Sequence, residues 1–598
     1  MLSTLKTRSI CRNMLLFFTL FLFFSCQKDL SLEDGGVIIT PPDLSTKISS
    51  SVSGFVTDEN DAAVMSATVQ FGSSTITTDK YGYFEVKNVQ VVKEAAVVTV
   101  IKPGYFKGIK TYSAKEGKAA FFRIKLIPKT IVGNINAAAG GTVTLANGLS
   151  IKLPAGGIVN AASNTAYTGT VNVAAFWINP TAKDLPNIMP GDLRGTNTSG
   201  ALKLLQTYGM AAVELTGTSG ELLQIVNGQK ATLTMPIPSS LLAGAPASIP
   251  LWYFDETKGL WKQEGSAAKT GNSYVGDVGH FSYWNCDFPF PNGVQFDCTL
   301  VDGNGHPLPN LQVWINFPNG QITGCHGTTD VNGYAGGAIP ANSQLVLKVY
   351  SDVPGCNNVE IYSQAFSTTN ANISLGTIAV SNSSNTAQVT GTLSDCNNQP
   401  VANGYVMMYL GSQYARYNVS NGSFSFSTFL CGNNTNATFI GGDVATMQES
   451  SALNYNLQPG ANNTGNMVAC GISVNEFINY SVDGINYSIT LPPDTMHVYG
   501  GNPSSIIIEA GQIAAVNGLS FSFSDAGIGV NSSQPLTFFG TRPQMGIPTI
   551  QNPIPVHITE YGAIGQFISG NLSGTISEGA SPGTTYNVTC NFRIRRTF

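Results

Sequence analysis

At 598 residues the chain is too long for a single hydrophobic core, so several domains are expected. Only 11% of its residues are charged, whereas 42% are hydrophobic and 10% aromatic. This composition excludes a largely disordered chain and suits half-buried β-strands joined by turns. The net charge of −5, with no basic cluster, argues against a nucleic-acid partner.

The N-terminus carries the pattern of a secretory signal. Three basic residues precede an apolar run over residues 14–24, which is too short to cross about 30 Å of hydrocarbon as a helix. Ser25 and Cys26 follow, and the order resembles a bacterial lipoprotein signal, in which residues 1–25 are removed and the cysteine is lipidated. An ordinary signal peptide or a short membrane anchor, with an incidental Cys26, is the alternative.

The residues directly after this cysteine indicate where the protein is exported. Gln27, Lys28 and Asp29 resemble the short charged signal of surface-exported lipoproteins in Bacteroidota-type bacteria. Residues 26–48 are predicted to be a flexible tether, because they contain Gly35-Gly36 and Pro41-Pro42 and lead into Ser49 to Ser51. The resemblance implies a lipid anchor in the outer membrane and a cell-surface location.

Residues 49–130 alternate apolar and polar residues between turn-forming segments, which predicts short strands. The pattern G-x-V-x-D, A-x-V and T-x-T-D-x-x-G-x-F resembles the carboxypeptidase regulatory-like family, a transthyretin-like β-sandwich without catalytic residues. The matching residues are Gly54, Val56, Asp58, Ala67, Val69, Thr75, Thr77, Asp79, Gly82 and Phe84.

The same pattern returns twice, which indicates an internal repeat. The second copy, in 293–381, has its turn residues at Asp302, Asp330 and Gly333. The third, in 382–471, keeps Asp395 and Gly422 but has lost the Thr-Thr-Asp segment, so it is divergent. The fold class expected from these repeats is all-β, with tandem Ig-like or transthyretin-like β-sandwich modules in a row.

Residues 131–292 form a separate β-rich region. Its motifs resemble the extracellular β-modules of cartilage intermediate layer proteins, which implies an interaction module without known chemistry. The motifs are Gly140-Gly141, Leu153-Pro154, Tyr253-Phe254-Asp255, Gly259-Leu260-Trp261 and Gly279-His280-Phe281-Ser282. Trp252, Trp261 and Trp284 are a candidate glycan-binding platform. The favoured alternative places at least two of the three in the core, since strands bury one face.

Residues 472–598 are predicted to be a C-terminal β-domain. The final strand alternates strictly, with Tyr586, Val588, Cys590, Phe592 and Ile594 on one face. The other face carries Asn587, Thr589, Asn591, Arg593 and Arg595. Such alternation predicts a half-buried strand.

Eight cysteines in the C-terminal half are candidate disulfide partners, because an exported protein meets an oxidising compartment. They are Cys286, Cys298, Cys325, Cys356, Cys396, Cys431, Cys470 and Cys590. Eight cysteines allow 105 pairings. Pairing within modules, such as Cys325 with Cys356, is the working hypothesis. Their wide spacing, without a C-x-x-C pair, argues against the competing zinc interpretation.

No catalytic, metal or cofactor site is predicted. His557 and Glu560 fit the H-x-x-E of zinc carboxypeptidases, but no third ligand follows and strand alternation should place them on opposite faces. Residues 579–583 fit G-x-S-x-G, yet they precede a strand rather than a helix.

The sequence therefore favours a non-catalytic, lipid-anchored surface protein that binds a glycan or protein ligand, or has a structural role. An extracellular glycan or peptide hydrolase, with the sandwiches as accessory modules, is the alternative.

Overall fold

The fold is all-β, as the sequence predicts. The computed structural model describes residues 41–290, 293–318, 322–351, 359–380, 386–411, 413–430, 435–446, 448–470, 472–473, 476–491, 495–501, 505–511, 518–530, 532–542, 548–550, 552–561, 567–578 and 584–596. These contain 46 strands and two four-residue helices. Asp43–Phe598 forms one unit by its internal contacts. Within the described residues, no helix has the length and apolar character needed to cross a membrane.

The first sandwich packs a three-stranded sheet, in the order β4-β1-β7, on a four-stranded sheet, in the order β3-β2-β5-β6. Strands β1 and β7 are parallel, while the other pairs are antiparallel. Its strands are β1 (Lys47–Thr57), β2 (Thr68–Phe71), β3 (Ser74–Thr77), β4 (Tyr83–Val92), β5 (Ala96–Ile101), β6 (Gly108–Tyr112) and β7 (Ala119–Lys125).

The middle region is built on a 13-stranded sheet with the path β11-β15-β14-β20-β17-β18-β19-β16-β10-β9. Strands β8, β12 and β13 join it off this path. The elements are β8 (Ile131–Asn136), β9 (Gly141–Thr144), β10 (Ser150–Leu153), β11 (Ile158–Asn160), β12 (Thr170–Ile178), α1 (Leu185–Ile188), β13 (Arg194–Thr196), β14 (Leu202–Thr216), β15 (Leu222–Ile225), β16 (Ala231–Pro236), α2 (Ser239–Leu242), β17 (Ser248–Asp255), β18 (Leu260–Thr270), β19 (Ser273–Val278) and β20 (Tyr283–Phe290).

The second sandwich repeats the strand order of the first, β24-β21-β27 on β23-β22-β25-β26, again with its first and last strands parallel. It consists of β21 (Gly293–Val301), β22 (Leu311–Asn316), β23 (Ile322–Thr328), β24 (Tyr334–Pro340), β25 (Gln344–Ser351), β26 (Val359–Ser367) and β27 (Ile373–Ala379).

The third sandwich keeps this order, but a pairing between β30 and β31 joins its two sheets into one of nine strands. Its strands are β28 (Thr386–Ser394), β29 (Asn403–Leu410), β30 (Gln413–Ser420), β31 (Ser423–Phe429), β32 (Asn436–Asp443), β33 (Gln448–Glu449), β34 (Leu453–Asn456), β35 (Gly460–Val468) and β36 (Ile472–Ser473). A disulfide between Cys396 and Cys470 links the segments that follow β28 and β35.

The C-terminal sheet has ten strands in the path β38-β37-β46-β45-β44-β42-β41-β40-β39, with β43 paired to β45. They are β37 (Glu476–Val482), β38 (Ile485–Leu491), β39 (Thr495–Gly501), β40 (Ser505–Gly511), β41 (Gly518–Ser524), β42 (Ser533–Arg542), β43 (Pro548–Thr549), β44 (Pro555–Tyr561), β45 (Phe567–Glu578) and β46 (Thr584–Arg595). Val588, Cys590, Phe592 and Ile594 are buried, which confirms the predicted inner face of the last strand.

The repeated Asp and Gly residues shape the same turn in the first two sandwiches. Asp79 Oδ1 accepts hydrogen bonds from the backbone N–H groups of Tyr81 and Tyr83, at 2.8 and 2.9 Å. Asp330 Oδ1 does the same two and four residues onward, at the same distances. Gly82 and Gly333 have φ of 70° and 73°, and a Cβ on either would meet a backbone carbonyl oxygen at 2.3 or 2.2 Å. Only glycine fits there.

Candidate functional site

The tryptophan platform predicted in the middle region is wrong. Trp252, Trp261 and Trp284 are each 0% exposed, and their indole N–H groups donate to the backbone carbonyls of Asp287, Asp192 and His280, respectively. The rings are inaccessible because this sheet is covered on both faces. Trp284 lies in the region's own core, while Trp252 and Trp261 pack in a second cluster that includes residues of the first sandwich. The alternative, that these rings fill the core, is confirmed.

Three of the predicted disulfide cysteines are buried thiols instead. Cys286, Cys298 and Cys590 pack in hydrophobic cores, without a disulfide in the described structure. Burial raises the pKa of all three, that of Cys298 to about 12, so they stay protonated. These side chains act as small apolar residues in the core.

Several predicted residues lie outside the described part of the chain. They are the lipidation residue Cys26, the export signal Gln27, Lys28 and Asp29, and the cysteines Cys356 and Cys431. The hypothetical pair of Cys325 with Cys356 therefore stays a prediction. Residues 579–583, which fit G-x-S-x-G, also lie outside the described part of the chain.

His557 and Glu560 lie on the same face of β44, not on opposite faces as alternation predicts. An irregularity in the pairing of β44 with β45, between Ile558 and Glu560, shifts the register by one residue. Glu560 pairs with Arg593 at 2.8 Å, while His557 Nδ1 lies 2.8 Å from Ser533 Oγ. No cluster of three or more His, Cys, Asp or Glu side chains suited to a metal occurs among the described residues.

A row of polar side chains crosses the outer face of the C-terminal sheet. The strand register aligns Asn479, Asn591, Asn571, His557 and Ser533 on five neighbouring strands, β37, β46, β45, β44 and β42. All five residues are exposed. Adjacent strands lie about 4.8 Å apart, so the row is about 19 Å long.

Neutral hydroxyl and amide groups extend this row along the strands. Ser573 lies opposite Thr589, Thr575 lies opposite Asn587, and all four are exposed. We call these four residues and the row of five the polar face. The neighbouring charges of Glu560 and Arg593 are paired with each other. Amide side chains both donate and accept hydrogen bonds, so the face presents an array of donors and acceptors.

A second cluster forms where the first sandwich packs on the third, and we call it the junction. Outward-facing Phe55, Tyr83 and Phe121 of β1, β4 and β7 meet Tyr405 and Met407 of β29. Tyr81, Tyr409, Tyr414 and Ile440 complete it. The modules are therefore not a simple row, because the first contacts the third.

Two arginines stabilise the junction. The guanidinium of Arg416 lies 4.1 Å from the ring centre of Tyr83 and 3.8 Å from that of Tyr405, and it pairs with Asp79 at 3.1 Å. Arg123 lies over Phe55 and donates to the backbone carbonyl of Tyr414 at 3.0 Å. Contacts of a desolvated cation with aromatic faces stabilise by up to about 2 kcal/mol.

A buried carboxylate lies at the edge of this cluster. Glu449 Oε1 accepts hydrogen bonds from the hydroxyls of Tyr81 and Tyr405, both at 2.7 Å, and Oε2 contacts Lys80 Nζ. Burial lowers the pKa of Lys80 and raises that of both tyrosines, which therefore remain donors. Sequence reasoning missed the junction, although the uninterrupted apolar run at 405–410 is typical of a strand buried on both faces.

Comparisons with known proteins support one resemblance. No protein-family profile matches the chain. It is 26% identical over 205 residues to mouse cartilage intermediate layer protein 2, covering 32% of this chain and 17% of the relative. The human protein is 26% identical over 168 residues, 26% of this chain and 14% of the relative. The predicted resemblance to these proteins is thus confirmed as a weak similarity over roughly a sixth of their length.

Solved structures similar to parts of the chain include bacterial pilins. The Bacillus anthracis TIE protein is 10% identical, with a TM-score of 0.15, over 71% of this chain and 50% of its own. A single-residue variant of the shaft pilin SpaA from Lactobacillus rhamnosus is 11% identical, with a TM-score of 0.16, over 30% of this chain and 100% of its own. The Bacillus cereus major pilin BcpA is 13% identical, with a TM-score of 0.12, over 56% of this chain and 100% of its own. At these TM-scores nothing about function follows.

Proposed function

We propose that the protein is a non-catalytic, lipid-anchored surface protein that binds a neutral polysaccharide through the polar face. The observation that carries the proposal is the exposed row of three asparagines, His557 and Ser533 across five strands. Sugar hydroxyls both donate and accept hydrogen bonds, so a ligand rich in hydroxyls matches side chains that do the same. A neutral ligand matches a row beside which Glu560 and Arg593 are paired with each other, while Asp483 at its edge accepts a hydrogen bond from the backbone N–H of Asn587.

The size and setting of the face favour an extended ligand. A row about 19 Å long gives room for several sugar units side by side, and an exposed row of this length suits a chain better than a single small molecule.

The binding test is a neutral polysaccharide array probed with the full chain and with the double variant Asn571→Ala/Asn591→Ala. We expect the variant to lose at least tenfold in affinity. Asn134 is an exposed strand asparagine of the middle region, so Asn134→Ala is the matched control and should bind as the parent does. Equal binding by all three proteins, or cleavage of the glycan, would contradict the proposal.

The anchor is tested separately by Cys26→Ser. If Cys26 carries lipid, the parent protein should sediment with membranes and take up a labelled fatty acid, while the variant should do neither. A variant that stays in the membrane fraction would favour a retained apolar anchor over lipidation.

A further inference from the structure

The amine of Lys80 and the carboxylate of Glu449 are held in contact, as two groups that condense to an amide must be. Lys80 follows the Asp79 turn of the first sandwich, and Glu449 ends β33 of the third, 369 residues later. The Lys80 side chain is 17% exposed and that of Glu449 only 3%. The turn hydrogen bonds of Asp79 hold one partner, and the pairing of β33 with β32 holds the other.

We propose that Lys80 and Glu449 are joined by an amide bond, which makes the junction a covalent link between the first and third sandwiches. The proposal stands on the position of both carboxylate oxygens. Oε2 contacts the amine, while Oε1 is held by two tyrosine hydroxyls. The hydroxyls of Tyr81 and Tyr405 thus lie where negative charge develops on a carboxyl group under attack.

The reaction balances without an added oxidant or reductant. One proton passes from the ammonium of Lys80 to Oε2, which leaves a neutral amine and a neutral carboxylic acid. The nitrogen lone pair then forms a bond to Cδ of Glu449. The Cδ–Oε2 bond breaks, and Oε2 leaves as water with that proton and a second proton from the nitrogen. Oε1 becomes the amide carbonyl oxygen and keeps both tyrosine hydrogen bonds.

Burial favours each step of this reaction. An ion pair held away from water loses hydration that its mutual attraction only partly restores, so a neutral pair gains relative to the charged one. The lowered pKa of Lys80 is consistent with this transfer. Fixed positions replace a bimolecular encounter by an intramolecular one, which is worth many orders of magnitude in effective concentration. The product is a neutral amide whose oxygen already has two donors.

The test is peptide mass spectrometry on the full chain after denaturation, reduction and trypsin digestion. We expect one joined peptide that contains both Lys80 and Glu449, lighter than its two parts by one water molecule, with cleavage blocked at Lys80. Separate Lys80 and Glu449 peptides from the parent protein, with no joined species, would overturn the proposal. The parent protein alone decides this, whatever the folding of the variants.

Two variants assign the bond to its residues. Lys80→Arg keeps the positive charge but should abolish the joined peptide. Lys102 lies in the same sandwich and donates to the carbonyl of Met65 at 3.0 Å, so Lys102→Arg is the matched control and should leave the joined peptide intact. A joined peptide that persists in Lys80→Arg would overturn the assignment. None of these readouts depends on polysaccharide binding.

Discussion

The junction and the polar face are both made of side chains that point outward from a β-sheet, yet their chemistry is opposite. The junction contains seven aromatic rings together with Arg123, Arg416 and the buried pair of Lys80 and Glu449. The polar face has amides, hydroxyls and the imidazole of His557, and its Asn571 and Asn591 are open to solvent. The residues of the junction are thus suited to burial between modules, whereas those of the polar face are suited to contact with water.

The difference follows from what desolvation costs. Aromatic rings gain by leaving water, and charges tolerate burial only when each finds a partner. Amides and hydroxyls gain little from being covered by apolar groups, because they would lose their hydrogen bonds to water. A surface of neutral polar groups therefore stays exposed until a ligand with matching hydrogen-bonding groups replaces the water.

The largest expected effect is at the junction, with Glu449→Ala. The substitution removes the acceptor that Tyr81 and Tyr405 share, together with the link to Lys80. Breaking even an unlinked buried pair costs about 3–5 kcal/mol, so the loss should be at least that large. The measurement is the urea midpoint of the first unfolding transition. Glu256 pairs with Lys107 at the surface, so Glu256→Ala is the control and should shift the midpoint little. Equal shifts in the two variants would show that the junction does not stabilise the protein.

The next effect concerns pH and a second contact of the first sandwich. Lys110 is 3% exposed, donates to the carbonyls of Pro186 and Met189 at 2.7 and 2.6 Å, and burial lowers its pKa to about 7. Its unfolded pKa is near 10.5. Between these values the unfolded state binds more protons, so stability should rise with pH, by at most about 1.4 kcal/mol per pH unit. The rise should be absent below about pH 7.

The variant Lys110→Met isolates this contribution. The pH series of its unfolding midpoint should rise less steeply between pH 7 and pH 10 than that of the parent. Lys152 is an exposed strand lysine, and Lys152→Met serves as the control for removing a lysine. Parallel curves for the parent and Lys110→Met would mean that Lys110 keeps its ordinary proton affinity in the folded protein.

A smaller effect is expected for Arg416→Lys. Lysine keeps the charge but lacks the flat guanidinium that lies between Tyr83 and Tyr405, so the loss should be about 1–2 kcal/mol. Urea unfolding measures it. A loss of unfolding free energy no greater than that of a substitution by lysine at the surface would show that the charge, and not the stacked geometry, stabilises the junction.

The repeated turns and the last strand could be predicted because local chemistry determines them. Asp79 with Gly82 and Asp330 with Gly333 form the same turn at the same spacing, and alternation along β46 separates Asn591 from Cys590. The contacts between modules could not be predicted in the same way. Whether Tyr405 meets water or Tyr83 depends on which modules touch, and no spacing within one strand encodes that. For the same reason, the sequence could not decide whether the tryptophans of the middle region are exposed or buried. The first sandwich covers one face of that region's sheet.

The bulge in β44 shows a second limit. Alternation predicts opposite faces for His557 and Glu560, because three residues separate them. One register shift places both side chains on the same face, and no residue type in this segment indicates that shift. A polar face that crosses five strands likewise depends on register between segments far apart in the chain, such as β37 and β46.

The smallest effect on stability is expected where the effect on binding is largest, in Asn571→Ala/Asn591→Ala. Both side chains are exposed, so their loss should change the unfolding free energy by no more than about 0.5 kcal/mol. Binding of a neutral polysaccharide should also be insensitive to salt between about 0.05 and 0.5 M, since screening acts on charges and not on amide hydrogen bonds. A steep fall of affinity with salt would indicate a charged ligand and a different face. A large loss of stability in the double variant would instead show that the polar face, like the junction, is covered in the folded protein.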